Sequence, residues 1–106
     1  MPVQHITSTE QFNSIIAKDT LTVVDFFADW CGPCKRIAPF LETLSNEFTN
    51  AQFVKVNVEE QEGISKEHNI AAMPTFLFFK GGKKVADLVG ADQNKLKGII
   101  EKNYSA

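Results

Sequence analysis

The chain has 106 residues, 43% of them apolar and 23% charged, with a formal net charge of −2. That length holds one core, so a single domain over residues 1–106 is expected, with the balance of a soluble globule rather than a disordered chain. The slightly acidic total argues against a phosphate-binding surface and so against nucleic acid, and no apolar run approaches the length of a membrane span.

The start, Met1 to Ile6, has neither the basic residue and apolar run of a secretory leader nor the Arg-rich character of a transit peptide. A cytoplasmic location is expected, a nuclear fraction being compatible with it. Val3-Gln4-His5-Ile6 suits a short edge strand. Ser8 or Thr9 suits a helix N-cap, and Phe12, Ile15 and Ile16 share one face of a helix ending near Lys18-Asp19. Leu21 to Phe27 is apolar on both sides of the pleat, the pattern of a central strand covered on both faces, and Asp25 interrupts it. A helix follows from about Pro33 to Phe48. Pro33 fits its first turn, Pro39 removes a hydrogen bond in its middle, and Ile37, Phe40, Leu41, Leu44 and Phe48 form its buried stripe.

Gln52 to Val58 alternates as a second parallel strand that sends Lys55 and Asn57 to the same side. Glu59 to Asn69 is polar and predicts a short helix anchored by Ile64. Met73 to Phe79 opens on a proline and becomes strongly strand-like, and Gly81-Gly82 makes a hairpin into a strand over 84–89. No helix follows those glycines, so Lys83-Lys84 is an exposed hairpin and not a phosphate loop. Asp92 caps a last helix carrying Leu96, Ile99 and Ile100. The order βαβαβαββα is that of an α/β fold with a mixed central sheet flanked by helices on both faces.

The two cysteines, Cys31 and Cys34, fall between the central strand and the helix after it. A helix start offers free N–H groups and the positive end of the helix dipole, both of which favour thiolate over thiol. Cys34 stands one turn further on, within disulfide reach. In a reducing compartment such a pair is more often catalytic or metal-binding than a structural staple, and so short a loop stabilises little. Two inert buried thiols are the competing reading. Asp25 is the one carboxylate in an apolar strand; burial raises its pKa and suits it to exchange a proton with Cys34. Lys55 on the adjacent strand is its candidate partner, and a salt-bridged structural role is the alternative for Asp25. A tetrahedral zinc site would need His5 and His68, far apart in sequence, together with both thiols; no metal is expected.

The string Trp30-Cys31-Gly32-Pro33-Cys34-Lys35 and the order of elements together resemble the thioredoxin family. The likeness continues through Val24-Asp25-Phe26-Phe27-Ala28, Ala38-Pro39, Met73-Pro74-Thr75, Phe79-Lys80-Gly81-Gly82 and Val89-Gly90-Ala91. Gly32-Pro33 is similar to thioredoxins, where glutaredoxins usually carry Pro-Tyr and disulfide isomerases Gly-His. The resemblance implies a thioredoxin fold with Pro74 cis and packed beside the cysteines. It also implies reduction of disulfides in target proteins, with Cys31 as nucleophile at the exposed helix start and Cys34, less exposed, as the resolving thiol. Gly32 leaves room for a partner chain and Pro33 fixes φ, so both tune the redox balance. By the same resemblance Trp30, Met73, Val89, Gly90 and Ala91 face the substrate, although Met73 and Val89 also suit a core.

No bound cofactor is expected. Regeneration falls to a separate reductase, which the resemblance implies is an NADPH-dependent flavoenzyme, thioredoxin reductase; this chain has no dinucleotide motif of its own. Phe27 stands where many bacterial members carry a second tryptophan, and Asn57 and Glu59 replace common aspartates with no function attached. The extra cysteines of some animal members are absent, so a monomer is expected. A redox-switched, non-catalytic binding module of a larger complex is the alternative from a different functional class.

Overall fold

The structure, a computed structural model, describes residues 3–106; Met1 and Pro2, which enter the leader and domain readings above, lie outside the described residues. The elements run β1 (Gln4–His5), α1 (Thr9–Ile16), β2 (Thr22–Phe27), α2 (Gly32–Glu47), β3 (Gln52–Asn57), α3 (Glu62–Glu67), β4 (Thr75–Lys80), β5 (Lys83–Val89) and α4 (Gln93–Asn103). They form one sheet in the order β1-β3-β2-β4-β5. The first three of these strands are mutually parallel, and β4 and β5 each run antiparallel to the neighbour before them.

Strand alternation divides the core into two layers. Leu21, just before β2, and Val23 of β2, Phe53 of β3, and Phe76 and Phe78 of β4 meet Ile37, Leu41 and Leu44 of α2 and Leu96 and Ile100 of α4. Val24 and Phe26, Val54 and Val56, and Leu77 and Phe79 meet Phe12, Ile15 and Ile16 of α1 and Ile64 of α3. Fully burying a Phe or Leu side chain contributes about 1.5–3 kcal/mol, so both layers hold β2 firmly at the centre. Asp25 and Phe27 continue the first set and therefore project onto the α2 face. Most of β5 is exposed, and Lys83, Lys84 and Asp87 blunt that free edge.

Three elements, α1, α3 and β4, have an end two residues or more from the sequence expectation. Helix α1 stops at Ile16, because the hairpin tip docks there: Gly81 N–H donates to Lys18 O at 2.7 Å and Gly82 N–H to Ile16 O at 2.8 Å. Both glycines have positive φ, +58° and +80°, which an L side chain resists. Helix α3 is confined to Glu62–Glu67 rather than filling 59–69. Asn57 Oδ1 accepts the N–H groups of Glu59 and Glu60 at 2.9 and 3.2 Å, a side-chain turn that competes with helix, and Asn69 ends it at φ +56°. Strand β4 begins at Thr75 instead of Met73, since Pro74 has no N–H for the ladder.

Candidate active site

The sharp exit from β2 into α2 places both cysteines. Cys31 is the N-cap of α2, with extended backbone, and its N–H donates to Ala28 O at 3.1 Å. At the N-cap the side-chain acceptor is ordinarily an oxygen. Here it is sulfur: the Cys34 N–H donates to Cys31 Sγ at 3.2 Å. Pro33, inside the first turn, has no N–H to leave unsatisfied. The two sulfurs are joined as a disulfide with Cα atoms 5.3 Å apart. An anion left on Cys31 after reduction thus inherits a preformed donor and the positive end of a helix.

The cysteines pack with Ala28, Phe27, Val58 and half-buried Met73. Met73 O lies 3.6 Å from Cys31 Sγ, and the Met73–Pro74 peptide is cis. Gly90 N–H donates to Pro74 O at 2.9 Å, joining the Val89-Gly90-Ala91 turn to the segment beside the disulfide. Trp30 and Val89 are each 65% exposed, so Val89 is not core filler, whereas Met73 is shared between the cysteine cluster and the surface. Gly32 is half-buried, while Pro33 and Ala91 are exposed.

The expected difference in exposure between the two cysteines is not found: as residues, Cys31 and Cys34 are both 4% exposed. As N-cap, the Cys31 side chain folds back over the first helical turn, and Met73 covers it. What separates the two is the space they face. Cys34, together with Asp25, Phe27, Asp29, Lys35 and Lys55, lines a cavity of about 170 Å³, and Cys31 does not. A cavity of that size has room for several waters.

Asp25 is buried, and its Oδ1 has no hydrogen-bond partner among the described residues. Burial pushes its pKa from the ordinary 3.8 up to about 7, the Lys55 charge pulling the other way. The register sets Asp25 beside Lys55, yet the expected pairing is not formed as an ion pair among the described residues. Lys55 Nζ instead lies over the Phe27 ring, 5.9 Å from its centroid. Sequence patterning gave no sign of this cation–ring contact, because it depends on how side chains of β2 and β3 stack across the sheet. Among the described residues no group of three or more metal-ligating side chains gathers.

A cysteine pair at the start of a helix, just after a central strand and with a buried carboxyl behind it, defines a dithiol–disulfide redox centre. The thioredoxin family model matches residues 3–102. Thioredoxin 1 of Plasmodium falciparum is 49% identical over 104 residues, covering 98% of this chain and 99% of its own length. The crystal structure of Malassezia sympodialis thioredoxin superposes with a TM-score of 0.93 at 45% identity, covering 97% of this chain and 91% of that one. A chain in a structure concerned with thiol resolution in yeast mitochondrial 1-Cys peroxiredoxin via glutathione/thioredoxin systems gives a TM-score of 0.90 at 34% identity, covering 94% of each. The chain belongs to the thioredoxin family and has the thioredoxin fold. With Cys31 and Cys34 at disulfide distance, its chemistry is that of a thiol–disulfide oxidoreductase.

Proposed function

We propose that this chain reduces disulfides in other proteins, with Cys31 as the attacking sulfur and Cys34 as the resolving one. The observation that carries the assignment is the Cys34 N–H donated to Cys31 Sγ at 3.2 Å at the helix start. The Cys31 thiolate attacks one sulfur of a target disulfide, forming a mixed disulfide and expelling the other sulfur as thiolate. Asp25, ionised above about pH 7, takes the Cys34 proton through the shared cavity. Cys34 then attacks Cys31 Sγ, closing the internal disulfide and releasing the second target thiolate. Two electrons have passed from the dithiol to the target, and Asp25 holds the proton.

Trp30, Met73, Val89, Gly90 and Ala91 form the target-facing rim. The exposed apolar Trp30 and Val89 exclude water, and the backbone at Met73, which enters no ladder, can pair with an extended peptide. Target proteins are the first partners. A separate NADPH-dependent thioredoxin reductase is the second, since the thiols must be restored and the sequence has no dinucleotide motif. The chain acts as a monomeric single domain in the cytoplasm, with a nuclear fraction compatible. Incubating reduced Cys34→Ser protein with insulin tests the mechanism by mass spectrometry. The expected product is an insulin chain linked through Cys31. An active wild type with no adduct at Cys31 in the variant would refute the assignment.

A further inference from the structure

At one level of the sheet three titratable side chains stand in a row. The register pairs Asp25 with Lys55 and Lys55 with His5, so β2, β3 and β1 project them side by side onto the α2 face. Lys55 turns away from Asp25 to the Phe27 ring, and His5 flanks the same ring at a centroid distance of 6.2 Å. His5 Nε2 meets Glu60 Oε1 at 3.1 Å. Glu60 is fixed there by the turn after β3, where Asn57 Oδ1 holds its N–H and that of Glu59.

We propose that the His5–Glu60 pair positions the Lys55 ammonium over Phe27, away from Asp25, and so acts as a positioning pair for the active-site carboxyl. The physical reason is charge balance along the row. Neighbouring strands are about 5 Å apart, so the Glu60 carboxylate, held at the outer end of the row by His5, draws the Lys55 cation toward that end and away from the Asp25 side. The other charged groups facing the cavity are Asp29, ahead of α2, and Lys35 of α2, both exposed and of opposite sign. On its far flank Asp25 is paired with Phe76 of β4, which is uncharged. Lys55 is therefore the cation whose place decides how strongly Asp25 holds its proton.

The inference rests on Asp25 as the proton-transfer group, but its test reads a titration and a position, not turnover. In the oxidised protein the cysteines do not titrate, so the Asp25 carboxyl can be followed by carbon-detected NMR. In Glu60→Gln the Asp25 midpoint is expected to fall by about 0.3 of a pH unit at low ionic strength. The Lys55 ε-methylene protons should at the same time lose the upfield shift that the Phe27 ring imposes. In a Lys55→Gln background the Glu60→Gln displacement of the midpoint should drop below about 0.1 unit. An unmoved midpoint with unmoved Lys55 signals would overturn the proposal, as would an equal displacement in the absence of Lys55. Failure of the Asp25 reading itself is separate: Asp25→Asn would then keep the wild-type pH profile of disulfide reduction.

Discussion

Asp25 and His68 lie on opposite faces of the same sheet, and burial acts on each in the same way, by disfavouring its charged form. His68, at the C-cap of α3, is ringed by Phe12, Phe26 and Phe79 at centroid distances of 5.4, 6.3 and 5.7 Å. Burial lowers its pKa; the Glu67 charge raises it back in part, and Lys84 adds to the lowering. Asp25 is pushed up to about 7 by burial, against the opposing charge of Lys55. The difference lies in what each side chain faces. His68 meets phenyl rings and lines a cavity of about 420 Å³ that neither cysteine shares, whereas Asp25 opens onto one that it shares with Cys34. A shifted pKa reports burial, and common space with a reacting atom turns it into chemistry.

That contrast can be broken from either side. The largest effect belongs to the sulfurs: Cys31→Ser or Cys34→Ser should lower insulin reduction by about 1,000-fold or more, while His68→Leu stays within about twofold. Comparable losses in the cysteine and His68 variants would erase the distinction. Asp25→Asn comes next, with a loss of about 100-fold at pH 8 and no inflection near pH 7 in the rate profile.

The same substitution should stabilise the fold, which chemical denaturation at several pH values would measure. Between pH 3.8 and about 7 only folded Asp25 keeps its proton, so wild-type stability falls as pH rises through that window and stays at its lowest above it. Removing the charge should return up to about 4 kcal/mol at pH 8 and nothing at pH 3. His68 has the opposite sign. Its lowered pKa means stability is fully present above 6.5 and is lost as the pH falls through the folded value. His68→Leu should flatten that acid limb in the same denaturation series.

A smaller effect sharpens the role of the helix start. Pro33 fixes φ inside the ring that the disulfide closes, reducing the order that oxidation must impose. In Pro33→His this stiffness is lost and a side chain able to carry positive charge stands near the thiolate, so both changes favour the reduced form. A glutathione titration should place the variant about 30 mV more oxidising, a tenfold change in equilibrium constant. An unchanged potential would leave Pro33 as helix punctuation alone.

Much of this architecture is legible in the chain because local pattern and tertiary role agree. The doubly apolar run at 21–27 could only be a strand covered on both faces, and Cys31 and Cys34 follow it at the spacing of one helical turn. Element ends were less legible where side chains or distant backbone overrule propensity, as Asn57 does at the start of α3 and Gly81 and Gly82 at the end of α1. The burial of Cys31 was hidden because the sulfur that caps the helix also lies under Met73, 42 residues away in the chain. The partner of Lys55 was hidden for a related reason. Sequence adjacency of strands names Asp25, whereas the rings and charges contributed by β1 and the turn after β3 decide in favour of Phe27.

The most direct measurement is the pH dependence of iodoacetamide alkylation of the reduced protein, with the modified sulfur identified by mass. The geometry at the start of α2 predicts modification of Cys31 first, with a midpoint at least about one unit below the 8.5 of a free thiol. Modification of Cys34 first, or a Cys31 midpoint at about 8.5, would contradict it.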